Sequence, residues 1–297
     1  MTKILMTGSS GFLGKIIKEK LSPYDLLTLG RSKSDIYMDL ESEVPLLPKS
    51  DIVIHAAGKA HFVPTSAEEK QSFYDVNVLG TKKLLESLEK SGSVPKSFVF
   101  ISTVAVYGKT TGVLINEESP LQAEDAYGVS KIKAEKIIEN WCNQNKVICT
   151  ILRLPLLAGP TPPGNLGAMI NGIRKGYFFT VDGGGAKKSI VLAEDVAEVL
   201  IKVSSIGGIY NLTDGRHPTF LSLSEKIASE LGKSKPLNLD LWFAKVLAKC
   251  GDLLGSYVPI NSNKLFKIIS SLTFDDSKAR EKFGWNPKCV LSEFKVK

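Results

Sequence analysis

Long uncharged apolar runs are missing from this 297-residue chain. The nearest approach, 241–260, is interrupted by Lys245, Lys249 and Asp252, too often to cross a bilayer. It reads as a buried amphipathic helix, with a membrane-surface helix as the alternative, and membrane contact is not expected. The first apolar run, after Lys3, is only a strand long, so no signal peptide is expected. Cysteine and histidine are scarce. The four cysteines, Cys142, Cys149, Cys250 and Cys289, lie apart in sequence and form no metal-type pair. They read as reduced thiols of a cytoplasmic protein, and no metal site is expected. His55 and His61 read as structural. A basic block is also lacking. The net charge of +7 comes from scattered lysines without interleaved aromatics, which speaks against nucleic acid as a partner. It fits attraction to an anionic nucleotide substrate, or simply a solvated basic surface. There are no internal repeats and no low-complexity linker.

What is present is an alternation of strand-like and helix-like stretches. Strand-like runs occur at 4–6, 26–29, 51–54, 97–101 and 147–152. Helix-like tracts occur at 11–21, 68–89 and 127–143. Strands alternating with helices imply a parallel sheet covered on both faces, an α/β doubly wound fold that binds ligands at the carboxyl ends of its strands. After residue 155 the alternation weakens, and Pro160-Thr-Pro-Pro-Gly and Gly183-Gly-Gly are loop signals.

Two motifs carry chemistry. Lys3-Ile-Leu-Met-Thr runs into Gly8, Gly11 and Gly14, a G-x-x-G-x-x-G spacing between a strand-like and a helix-like stretch. Such glycines let the backbone turn and approach a pyrophosphate, and the helix that follows offers its first N–H groups to the anion. The second motif is Tyr127-Gly-Val-Ser-Lys131. On a helix, Tyr127 and Lys131 stand one turn apart on one face. A cation beside a phenol favours the phenolate, and a hydroxyl from Thr103 could hold the oxygen that exchanges the proton. This trio suits interconversion of an alcohol and a ketone, and needs a hydride carrier beside it.

The chain resembles the extended short-chain dehydrogenase/reductases, in their NAD-dependent epimerase/dehydratase branch, over nearly its whole length. The resemblance rests on Thr7-Gly-Ser-Ser-Gly-Phe-Leu-Gly, His55-Ala-Ala-Gly and Asn77-Val-Leu-Gly-Thr. It extends through Ser102-Thr103 with Val106-Tyr107-Gly108, Arg153-Leu-Pro155 with Gly159-Pro160, and the closing Asp276 to Pro287. It implies a Rossmann fold over residues 1–160, with return segments near 186–215 that rejoin the main sheet at 190–192 and 209–212. A smaller C-terminal substrate-binding lobe would occupy 161–185 and 216–297. It further implies a nicotinamide dinucleotide on Gly8, Ser10, Gly11, Phe12, Leu13, Gly14, Arg31, Ser32, Asp39, Leu40, Ala56, Ala57, Asn77, Tyr127, Lys131 and Pro155. The catalytic residues are then Thr103, Tyr127 and Lys131, with Thr103 rather than Ser102 as the catalytic hydroxyl.

Cofactor choice turns on Leu29-Gly30-Arg31-Ser32-Lys33, where many NAD sites carry a carboxylate. Arg31 could pair with a 2′-phosphate, which favours NADP(H), although NAD(H) remains possible because arginine can also merely cover the adenine. The resemblance implies a nucleotide-sugar substrate held by Thr103, Asn165, Leu166 and Lys188, the lysine standing where relatives often use arginine. Tyr210-Asn-Leu-Thr-Asp-Gly with His217-Pro resembles enzymes of bacterial surface-polysaccharide assembly that act at C4 of UDP-N-acetylated deoxyhexoses. A 4-ketoreductase is favoured and a UDP-sugar 4-epimerase is the alternative. A 4,6-dehydratase fits less well, because Val104-Ala105 stands where that group has Asp-Glu. A non-catalytic dinucleotide-binding sensor is a distant third. A homodimer through 68–90 and 127–143 is a further option, although apolar faces there could equally be core.

Overall fold

The computed structural model describes residues 2–39, 44–60, 62, 64–254 and 260–296. Leu40 and His61, named above, lie outside the described residues. The strands are β1 (Lys3–Thr7), β2 (Asp25–Gly30), β3 (Ile36–Tyr37), β4 (Ile52–His55), β5 (Ser97–Thr103), β6 (Gly112–Ile115), β7 (Ile148–Leu154), β8 (Leu156–Ala158), β9 (Phe179–Val181), β10 (Ile190–Leu192), β11 (Gly208–Asn211), β12 (Leu237–Leu239) and β13 (Leu272–Phe274). The helices are α1 (Phe12–Lys20), α2 (Ala67–Tyr74), α3 (Gly80–Lys90), α4 (Ala126–Asn145), α5 (Gly164–Lys175), α6 (Ala193–Ser204), α7 (Phe220–Glu230), α8 (Leu241–Leu254), α9 (Ser262–Ile269), α10 (Ser277–Phe283) and α11 (Val290–Glu293).

Among the described residues, seven strands form one sheet in the order β11-β7-β5-β4-β1-β2-β3, and every neighbouring pair is parallel. The apolar runs of β1, β4 and β5 follow from this placement, since a central parallel strand is buried on both faces. Successive side chains go to opposite sides. Ile4, Met6, Ile54 and Val99 pack with α1 and α6, whereas Leu5, Val53, Phe98 and Phe100 pack with α3 and α4. Each such side chain contributes about 1.5–3 kcal/mol by leaving water. A third cluster joins α5, α7, β10 and α11 through Leu166, Ile170, Ile190, Ile227 and Phe294.

Four expectations change here. The segment Ile190–Leu192 does not rejoin the main sheet; it pairs with Leu156–Ala158 in a separate two-stranded sheet, and only β11 returns. The cause is Pro155, which has no N–H for the ladder, so β7 stops at Leu154 and the chain opens a new pairing. The tract expected as one helix over 68–89 is α2 and α3 joined by a π-helical stretch, Asp75–Leu79. Cys142 and Cys149, apart in sequence, lie close in space, and the neighbouring thiol together with burial pushes the Cys142 thiol up. Finally, α8 is not the buried amphipathic helix anticipated for 241–260. Its buried side is Ala244, Ala248 and Gly251, and Trp242, Phe243, Val246 and Leu253 are exposed. Residues 255–259 of that tract lie outside the described residues. Among the described residues no helix is long and apolar enough to cross a membrane.

Candidate active site

The sheet order reverses between β1 and β4, where β2 and β3 build outward on one side and β5 on the other. The crevice opens at the carboxyl ends of the strands at this point; Gly8, Ala56 and Pro155 follow β1, β4 and β7 there, and Thr103 ends β5. Gly8 has φ +78, and a Cβ on it would lie 2.5 Å from the Ala56 carbonyl carbon. A Cβ on Gly14 would lie 1.9 Å from the Gly8 oxygen. Both positions therefore require glycine, so that the loop can lie flat on α1 and on the end of β4. No side chain caps α1, whose N-cap is Gly11. Its first N–H groups, which have no partner within the helix, point out of the loop. A diphosphate fits this cradle, because it needs donors and close backbone approach without side chains in the way. Gly14→Ala is expected to weaken binding of a reduced nicotinamide dinucleotide at least about tenfold, ~1.4 kcal/mol, in a fluorescence titration.

A chain of hydrogen bonds fixes the loop after β4. Thr81 Oγ1 donates to the Asn77 carbonyl at 2.7 Å, so its oxygen accepts from His55 Nε2 at 2.9 Å. Nδ1 of the same ring then accepts from Thr7 Oγ1 at 2.7 Å, while Thr7 Oγ1 accepts from the Ala57 N–H at 3.1 Å. The imidazole is thus neutral, and burial pulls its pKa down to about 3. His55 is structural. Asn77 sits in the π-helical stretch, a device common at functional sites. Its Oδ1 accepts from the Lys59 N–H at 2.7 Å, and its Nδ2 donates to the Lys59 carbonyl and to Ser130 Oγ. These bonds occupy its amide, so Asn77 pins the loop to α4. Lys59 and Ser130 were not singled out by sequence.

The three proposed catalytic side chains do come together. Asp125 caps α4, accepting from the Gly128 N–H at 3.0 Å, and this sets Tyr127 in the first turn. Thr103 lies close enough to the Tyr127 hydroxyl to act on its pKa. Lys131, one turn on and buried, donates to the Ile101 carbonyl at 2.7 Å and lies 3.8 Å from the Phe100 ring centroid. The electrostatics differ from the expectation of a phenol lowered by its cation. Burial pushes Tyr127 up to about 12, against the lowering by Thr103, and burial pulls Lys131 down to about 7. Removal from water disfavours both charged forms and sets both shifts. At neutral pH the phenol is protonated, near Thr103, and one helical turn from an amine near its titration point.

Behind this trio lies a buried network that the sequence reading had not assembled. Ser102 Oγ donates to Glu135 Oε1 at 2.5 Å. Arg153 grips Glu135 with Nε and Nη2, at 3.2 and 2.7 Å. Arg153 Nη1 donates to the Tyr107 hydroxyl, which donates to Asn211 Oδ1 at 2.8 Å. Asn211 Nδ2 in turn reaches the carbonyls of Ile115 and Asp275. Ser102 therefore faces away from the phenol, into this network.

Arg31 and Ser32 are exposed just after β2, and Asp39 is half-buried beyond β3. The nearby carboxylate of Asp35 accepts from both the N–H and the hydroxyl of Thr28. Asn165, Leu166 and Lys188 line one cavity with Leu156 and Phe220. Lys188 donates to the Ser270 carbonyl at 2.8 Å, and burial, with the like charge of Lys267, pulls it down to about 8. Among the described residues no cluster of three acidic, cysteine or histidine side chains could hold a metal ion.

Comparison with known proteins gives a consistent picture. The model of the NAD dependent epimerase/dehydratase family matches residues 4–212. An Escherichia coli O157:H7 protein named N-acetyl-alpha-D-glucosaminyl-diphospho-ditrans,octacis-undecaprenol 4-epimerase is 26% identical, over 93% of this chain and 88% of that one. The UDP-glucose 4-epimerase of Vibrio cholerae is also 26% identical, over 98% and 92%. Among solved structures, RMD from Pseudomonas aeruginosa complexed with NADPH superposes with a TM-score of 0.75 at 20% identity, covering 98% of this chain and 96% of that one.

Proposed function

The chain belongs to the NAD dependent epimerase/dehydratase family of nicotinamide-dinucleotide enzymes, and from that premise we propose that it is a 4-ketoreductase of a nucleotide-diphosphate sugar, of the UDP-N-acetyl deoxyhexose type. The observation that carries this reading is the Tyr127 phenol, set beside Thr103 on the same site as Lys131 and held protonated up to about 12. A phenol that stays protonated at neutral pH is available as the donor to a ketone oxygen, and because its raised pKa makes it a weaker acid it needs a cation to take up the charge left behind. A bound nicotinamide supplies the hydride. Thr103 orients the reacting oxygen, Tyr127 delivers the proton to it, and the Lys131 ammonium stabilises the phenolate left behind. Positioned proton transfer of this kind contributes about 10²–10⁴-fold.

NADP(H) is the favoured cofactor. No carboxylate follows β2 directly, the nearby Asp35 is turned toward Thr28, and Arg31 stands exposed with Ser32 beside it. A guanidinium there suits a 2′-phosphate. Asn165, Leu166 and Lys188, which share a cavity, are the proposed grip on the nucleotide end. The proposed division keeps residues 1–160 and the returning β11 with the cofactor, and the segments around α5, α7, α8 and α9 with the sugar. The second reading, a 4-epimerase, is favoured by the names of both curated relatives.

Titration of NADPH against NADH, with mass analysis of whatever the purified protein retains, separates the two. A ketoreductase is expected to purify empty and to bind NADPH at least about tenfold more tightly, ~1.4 kcal/mol, with Arg31→Ala erasing the preference. Tightly retained NAD(H) without preference for the phosphate would establish the epimerase reading instead.

A further inference from the structure

Helix α8 is turned inside out relative to an ordinary surface helix. Large apolar side chains normally face the core, yet here the small residues Ala244, Ala248 and Gly251 do so. Trp242 is 67% exposed and Leu253 87% exposed. At 3.6 residues per turn, Trp242, Val246 and Leu253 fall in one row. Phe243 borders it, its ring 5.7 Å from that of Trp242. Lys245 and Lys249 run along the other edge of the row, both exposed. The one acidic residue of α8, Asp252, is turned to α9, accepting from the N–H and hydroxyl of Ser262. The outward face of α8 is thus apolar, edged by Lys249 and Lys245, with the exposed Asp252 beyond them on the side toward α9.

Its geometry is fixed by what lies beneath. Ala244 and Ala248 pack with Leu265 of α9 and Val181 of β9. A Cβ on Gly251 would lie 1.8 Å from the Ile260 oxygen. Helix α9 adds exposed Phe266 and Lys267, and the chain leaving it passes Lys188 at the Ser270 carbonyl. The segment leaving α9 thus meets Lys188, which lines the cavity with Asn165.

We propose that this face of α8 docks on an anionic lipid bilayer, lying in the plane of the headgroups with Trp242, Phe243, Val246 and Leu253 in the interface and Lys245 and Lys249 on the phosphates. An apolar row with aromatic side chains and a lysine flank is what an interfacial helix needs, and lysines near an anionic surface add attraction. A second copy of this chain is the weaker occupant, because an isologous contact would set these lysines against their own images. Docking through α8 does not depend on whether the chain reduces or epimerises a sugar.

The test is co-sedimentation of the whole protein with vesicles of phosphatidylcholine alone, or mixed with phosphatidylglycerol, at low and high salt. Thermal unfolding and NADPH titration of each variant are measured in parallel. Trp242 emission is expected to shift to the blue on the anionic vesicles only. Binding is expected to fall about tenfold or more in Trp242→Ser/Val246→Ser, and similarly in Lys245→Glu/Lys249→Glu. Unfolding temperature and NADPH affinity should stay unchanged. Equal, weak partition of the wild type and both variants on anionic vesicles would overturn the proposal. So would a dimer in solution that Trp242→Ser/Val246→Ser converts to monomer.

Discussion

Tyr127→Phe is expected to lower the rate of ketone reduction by ~10²- to 10⁴-fold, while NADPH affinity changes by less than about threefold, because the lost atom is the one that carries the proton. The pH profile identifies the partner. Tyr127 stays protonated to about 12, so it contributes no limb in the physiological range. Lys131, pulled down to about 7, loses its charge there. Reduction leaves negative charge on the phenol oxygen and draws on that cation. The rate is therefore fully present below pH 7 and declines as pH rises through it. Stopped-flow single turnovers with NADPH between neutral and alkaline pH check this. A decline near pH 7 that survives in Lys131→Met would transfer the titration to another group.

The second large effect is on stability. Glu135→Ala is expected to cost about 3–5 kcal/mol, since it leaves the buried Arg153 guanidinium, 3% exposed, without its counter-charge. For a chain of this size that lowers the melting temperature by on the order of 10 °C. Removing both charges, in Glu135→Gln/Arg153→Gln, is expected to cost less than the sum of the single changes, because neither partner is then stranded. Arg153→Lys should not rescue, for an ammonium cannot span both carboxylate oxygens and the Tyr107 hydroxyl together. Thermal unfolding of these variants, and of Glu135→Gln and Arg153→Gln singly, decides it; additive losses of the two glutamine changes would mean that the pair is not a unit.

Much of the framework was readable from residue order. The alternation of apolar strands with helices led to the parallel sheet, and the spacing of Gly8, Gly11 and Gly14 located the cradle. Tyr127 and Lys131 lay on one helical face because four residues make about one turn. What was not readable depended on partners distant in sequence. Glu135 is one turn beyond Lys131 and so shares its face, but only Arg153, in an otherwise apolar strand, explains a carboxylate there. A buried charge demands a buried partner, and that rule applied to Arg153 would have led to Glu135. The fate of Ile190–Leu192 was hidden because an apolar triplet suits any parallel pairing, and Pro155 alone signalled the break. For α8, the apolar count was right and the facing was wrong, since small residues at 244, 248 and 251 define a helical face as well as large ones do.

The outer place of β11 in the sheet has a consequence for how the molecule is made. Its neighbour β7 ends at Leu154, yet the strand that covers it is synthesised only as far as Asn211 some fifty residues later. At ordinary translation speeds the gap lasts roughly 3 to 11 s. Through that interval the nascent chain carries β7 as an open edge, ready to pair with any strand nearby, and the Tyr107 hydroxyl waits for its acceptor in Asn211. The vulnerable moment of this protein thus belongs to the ribosome, before the last strand arrives to close the sheet.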